Sequence, residues 1–173
     1  QASKVGTLAL TEEQILAGDE TFTITEGGKT AIYTSVATEK LDSILYNIDK
    51  AITDAGLDVS VSSSSTGILE LTHNKYGSEH SFLASSSAPG VLSKEADVLE
   101  ESSKGSDIVA SINGEAAIGK GQRITGMLGN ENTEGLVVDY VGDPDMDVPT
   151  DGLHVGSIWV SQGALTFQVG ADV

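Results

Sequence analysis

The sequence contains no cysteine. That removes disulfides, thiolate metal sites and cysteine nucleophiles together, so packing alone must hold the fold. Basic residues are scarce: 9 Lys and Arg stand against 26 Asp and Glu, for a formal net charge of −17. Such a surface repels nucleic-acid phosphates and anionic lipid, and it argues against both as partners. Aromatics make up 5% of the chain, with one Trp, so aliphatic and β-branched residues must build the interior. No apolar run approaches the ~20 residues that a membrane helix needs. The opening QASKVGTLAL lacks the basic region and long apolar stretch of a secretory signal.

What is present is mostly β grammar. In TFTITEGGKTAIYTSV, Phe22 and Ile24 alternate with threonines, and Gly27-Gly28 reads as a two-residue hairpin turn. One helix is expected, over residues 38–55. Leu41, Ile44, Leu45, Ile48, Ala51, Ile52 and Ala55 form its apolar stripe, Thr38 is positioned to cap its start, and Gly56 to end it in the left-handed conformation. Asp42, Asp49 and Lys50 fall off the stripe and should face water. A second hairpin follows, with Leu57, Val59 and Val61 alternating, a turn at 64–67, and a return over 68–71. EHSFLASSS reads as a further strand, whereas the acidic stretch 95–101 suggests a short helix in a connector. Beyond it, DIVASIN, GQRIT, GLVVDYV, HVGSIWV and ALTFQV all read as strands. The fold class expected is α+β, mostly antiparallel β: a ββαββ-type module with one amphipathic helix, plus a second β-rich module. The domain reading is an incoming segment 1–20, a subdomain 21–104 with its connector, and a β-rich subdomain 105–173.

Several stretches invite a chemical reading. GEAAIGKG, residues 114–121, is one residue short of the phosphate-cradling loop G-x-x-x-x-G-K-[ST]. Gly121 stands where the magnesium-binding hydroxyl belongs, the continuation is a poor helix, and Asn113-Gly114 signals a tight turn. The expectation is therefore a Gly-rich hairpin, with bends at Gly119 and Gly121 and a solvated Lys120. In DPDMDVPTDG the oxygen ligands Asp143, Asp145, Asp147 and Asp151 suggest calcium. The late glycine and the missing bidentate Glu suit a plain acidic loop better. His73 and His80 could supply only two of the roughly four ligands of a structural zinc site, and surface histidines flanking a strand loop are the ordinary explanation. No nucleophile-elbow motif accompanies the serines, which read as turn and strand-edge material. Trp159, alone in an alternating strand, reads as a core or interface residue before a ligand-stacking one. No cofactor and no catalytic residue is expected.

One run of motifs carries a resemblance. Ile112-Asn113-Gly114, then Gly119-Lys120-Gly121-Gln122, Thr125-Gly126 and Glu134-Gly135-Leu136 resemble a segment shared by bacterial flagellins and the flagellar filament cap protein. The section 21–87, with LDSILYNIDKAI, TGILELTH and YGSEHSF, is similar to another module of these proteins. At the end, Val160-Ser161-Gln162, Ala164-Leu165 and Phe167 to Ala171 resemble the point where a flagellin's outer insertion returns to its rod-forming core.

The resemblance implies the surface-exposed variable region of a flagellin, without the long heptad helices that polymerise it. It implies a structural, non-enzymatic role on the extracellular flagellar filament, serving motility. Neighbouring flagellin subunits would be met through those core helices, and neighbouring outer domains through weak contacts. The piece by itself would be a monomer. The filament cap (hook-associated) protein is the second choice, since it shares the Val-Ser-Gln-Gly part but not the continuation. A glycan- or calcium-binding surface domain is the alternative of a different class.

Overall fold

A computed structural model of the chain describes residues 1–141. Within them the fold is α+β and mostly antiparallel, in three sheets. The first sheet has the order β1 (Ser3–Ala9), β5 (Ile68–His73), β4 (Val59–Ser63). The second runs β3 (Lys29–Thr34), β2 (Thr21–Glu26), β6 (Leu83–Ser86), β7 (Glu100–Glu101). The third runs β11 (Val137–Asp139), β10 (Arg123–Gly126), β9 (Glu115–Lys120), β8 (Ser111–Ile112). Among the described residues α2 (Leu41–Ala55) is the one helix longer than the six-residue α1 (Glu12–Ala17).

The first hairpin forms as its sequence predicts. Glu26 pairs with Lys29 across Gly27 and Gly28, whose φ of 56° and 81° suits a turn that glycine enters without strain. Phe22 and Ile24 point into the core while the threonines between them stay partly exposed. The second hairpin pairs Val59 with His73 through Ser63 with Leu69. The two hairpins lie in different sheets, and α2 packs against both β3 and β4. Its Ile44, Ile48 and Ile52 are fully buried in one core with Phe22, Ile24, Leu69 and Leu71. Asp42, Asp49 and Lys50 face water, as their places off the stripe require. Gly56 ends the helix at φ 67°, ψ 44°.

Two local expectations need correction. Thr38 does not cap α2. It sits at φ 66°, and Lys40 takes the capping position with no side-chain bond. Glu39 supplies the local order instead: its carboxylate accepts from Val36 N (3.2 Å), Asn47 Nδ2 (2.7 Å) and the Tyr33 hydroxyl. The stretch 95–101 is no helix. Its last two residues join β6 as β7, the Asp97 N–H donates to the Ser86 carbonyl, and Glu100 is held by Lys4 Nζ (2.6 Å) and Lys94 N (2.7 Å). Long-range pairing outcompetes a helix that has no apolar stripe to bury. Residues 1–20 hold β1 and α1. β1 pairs with β5, and Thr11 with Gln14 makes a reciprocal capping box at the start of α1.

The far edge of β1 is also occupied. Thr7 N and Leu8 N donate to the Gly90 carbonyl (2.8 and 2.9 Å), and Ser103 N donates to the Ser3 carbonyl (2.8 Å). The loop 88–93 and the connector thus tie the first sheet to the second. They leave no free ladder groups at these positions.

Candidate functional site

The stretch 114–121 is where a phosphate loop would sit. It is a strand instead. Asn113 and Gly114, at φ 52° and 78°, turn β8 into β9, and Gly121 at φ 57° opens the next turn into β10. Amides that would have to converge on a phosphate belong to the β8–β9–β10 ladders. The Gly121 N–H is the telling one: it donates to the Asp107 carboxylate at 2.7 Å, a group that would repel phosphate. Lys120 pairs with Glu79 at 3.1 Å and is largely exposed. Gly119 makes no bend. It lies in β9 opposite Ile124, where a Cβ would overlap the Ile108 carbonyl.

Asp107 is the most strongly perturbed carboxylate among the described residues. Oδ2 accepts from the Ser78 hydroxyl (2.6 Å), and Oδ1 from Ser78 N (3.0 Å) and Gly121 N (2.7 Å). The Ser78 hydroxyl first, then the Gly121 and Ser78 N–H groups, hold its pKa down to about 2. Around it three backbone segments come into close contact. A Cβ on Gly77, at φ 124°, would press within 3.1 Å of the Gly121 Cα, and a Cβ on Gly105 would sit 2.5 Å from the Gly77 carbonyl oxygen. The arrangement joins the loop after β5, the connector and the β9–β10 turn. It is a clamp in which the carboxylate takes three hydrogen bonds from its own chain.

Glu115 does similar work at the other end of β9. Its carboxylate accepts from the Thr133 hydroxyl (2.5 Å), Glu131 N (3.1 Å) and Asn132 N (3.2 Å). The Thr133 hydroxyl is the main cause of its lowered pKa. It thereby holds the 131–133 loop against the hairpin.

The histidines are not both at the surface. His73 is buried at 1% exposure, because it continues the inward positions Leu69 and Leu71 of β5. Its Nδ1 accepts from Lys75 N (2.9 Å), and its Nε2 contacts Glu26 Oε1 (2.8 Å). The other Glu26 oxygen accepts from Asp58 N at 2.6 Å. His80 stacks on His73 with ring centroids 4.7 Å apart. The structure therefore brings the two together, but as a ring stack whose buried member has both nitrogens engaged. Among the described residues no group of three or more His, Asp or Glu could hold a metal ion.

The serine runs serve the backbone. Ser64 Oγ accepts from Ile68 N (3.1 Å) in the second turn. Ser86 Oγ donates to the Ala88 carbonyl (2.8 Å) and accepts from Leu92 N (2.9 Å), while Ser93 Oγ accepts from Ser86 N (3.1 Å). Buried Glu20 accepts from Ala88 N at 2.6 Å in the same loop. Such a network satisfies a loop that is folded inward. Beside it, a groove of about 430 Å³ is lined by Leu8, Ala9, Thr11, Gln14, Pro89 and Val91, none of them titratable. The calcium candidates Asp143, Asp145, Asp147 and Asp151 lie outside the described residues, as do His154, Trp159 and the tail motif from Val160 to Ala171.

Fold and side chains together define a β-rich α+β chain whose polar clusters are turned on its own backbone. Comparison with protein-family models, with curated proteins and with solved structures finds no match to this chain.

Proposed function

We propose that the chain is the outer, solvent-exposed region of a bacterial flagellin, a structural and non-enzymatic part of the extracellular flagellar filament. The observation that carries this reading is the ordered run of motifs from Ile112-Asn113-Gly114 to Glu134-Gly135-Leu136, followed by Val160-Ser161-Gln162 and Phe167 to Ala171. The net charge of −17 fits a surface that faces solvent. In this reading the chain decorates the filament and serves motility. Subunits assemble through heptad helices of the full protein, and the outer regions touch each other weakly. No cofactor takes part.

The test is direct. Filaments are sheared from the cells that encode the chain, depolymerised and mapped by peptide mass. Peptides from residues 1–141 belong to the dominant filament subunit, in one polypeptide with long heptad helices. A dominant subunit without these peptides refutes the proposal. The Val160 to Gly163 segment also suits the filament cap protein, and peptides found at only a few copies per filament would favour that second reading.

A further inference from the structure

The tip of the β8–β9 hairpin combines a reactive sequence with an unprotected geometry. Asn113 and Gly114 form its two-residue turn, between the pair Ile112 and Glu115. Both are exposed. A side chain added at Gly114 would meet nothing within 4 Å, so the space around this peptide group is open. No hydrogen bond ties the Asn113 amide or the Gly114 N–H among the described residues. The other four asparagines differ. Asn47, Asn74, Asn130 and Asn132 are followed by Ile, Lys, Glu and Thr, whose side chains crowd the following nitrogen. All four also have their side chains engaged: Asn47 on Glu39, Asn74 on Ser60, Asn130 on the Ala116 carbonyl, and Asn132 on Glu115.

We propose that Asn113 is a site of self-modification, at which the Gly114 backbone nitrogen displaces the side-chain amide. The Gly114 nitrogen gives up its proton and attacks the Asn113 Cγ. A new N–Cγ bond forms, the Cγ–Nδ2 bond breaks, and the departing nitrogen leaves as ammonia after taking a proton. The product is a five-membered succinimide. Water then opens the ring at either carbonyl. Attack at the backbone carbonyl gives isoaspartate, and attack at Cγ gives aspartate. The overall change is asparagine plus water to a carboxylic acid plus ammonia, with no oxidant or reductant.

The turn needs only local opening for the attack. β8 is two residues long, with the two pairs Ser111–Ala116 and Ile112–Glu115 to hold it. The modification has a structural consequence. It adds one negative charge to a chain already at −17, beside Glu115. Isoaspartate also inserts a methylene into the backbone of a turn that needs left-handed dihedrals at both positions. The Glu115 grip on residues 131–133 should then loosen.

The experiment incubates the folded protein in mildly alkaline buffer and follows it by peptide mapping and isoaspartate detection. Asn113 is expected to lose its amide ahead of the other four asparagines, with isoaspartate in the product and a rate that rises with pH. The Asn113→Gln variant, whose longer side chain disfavours the ring, should lose this signal while keeping the parent circular dichroism spectrum. Retention of the Asn113 amide while another asparagine loses its own overturns the proposal. So does a product that is aspartate alone, since direct hydrolysis would then be the route.

Discussion

Replacing Ile48 by Ala tests whether one helix closes two sheets over a shared core. Ile48 is 0% exposed and lies in the core that also holds Phe22 and Ile24 of the second sheet and Leu69 and Leu71 of the first. The substitution removes three carbons, about 2.5 kcal/mol of transfer free energy at roughly 0.8 kcal/mol per group. Strands on two sides restrict collapse around the vacated volume, so a cavity penalty adds to this and the total should reach about 3–5 kcal/mol. For a chain of this size that is a fall in Tm on the order of 10 °C. Urea titration reads it as a lower midpoint with an unchanged slope. Tyr46→Ala on the same helix is the control. Tyr46 is 69% exposed, so its loss should stay within about 0.5 kcal/mol. An Ile48→Ala cost below about 1 kcal/mol, or one equal to that of Tyr46→Ala, would refute the shared core.

Four further outcomes follow from the same geometry. Asp107 has a folded pKa of about 2 against an ordinary 3.8, so its stabilisation is complete above the ordinary value and is lost as pH falls from about 4 toward 2. Asp107→Asn should destabilise the protein at neutral pH and flatten the acid limb of its stability curve in that window, as read by urea midpoints across pH. Gly119→Ala should cost about 1–3 kcal/mol or more, because the new methyl must displace the Ile108 carbonyl, and amide exchange should speed up in β9 and β10 first. Lys120→Met should change stability by less than about 0.5 kcal/mol, since its pair with Glu79 is exposed. Magnesium-ATP should shift the Tm of neither parent nor variant, because Gly121 N already serves Asp107.

Much of the fold is legible in the sequence where local signals agree with the tertiary outcome. Gly27-Gly28 and Asn113-Gly114 each mark a turn that only left-handed dihedrals can make. The stripe through Ile44, Ile48 and Ile52 has one periodicity and one buried face. Errors arise where long-range pairing decides. Glu100 and Glu101 look helical in isolation, yet they pair with Ala84 and Leu83 of β6 at the edge of the second sheet. Residues 1–20 read as an incoming segment, yet within them β1 pairs with the distant β5, Val5 opposite Glu70. Asp107 reads as the first residue of the strand DIVASIN, yet only Ser111–Ile112 of that stretch forms a strand. Its role depends on a serine at 78 and an amide at 121, and no spacing rule joins the three. His73 could have been placed inside by counting two residues on from Leu71. Gly119 reads as a bend beside Gly121, and the need for a glycine within a strand there appears only once Ile108 crosses over it.

The central functional claim is best tested on intact cells. Antibodies raised against residues 1–141 are applied to cells that encode the chain and located by immunogold electron microscopy. The proposed function predicts gold along the whole length of each flagellar filament. Gold confined to the distal tip, or filaments left bare, would contradict it.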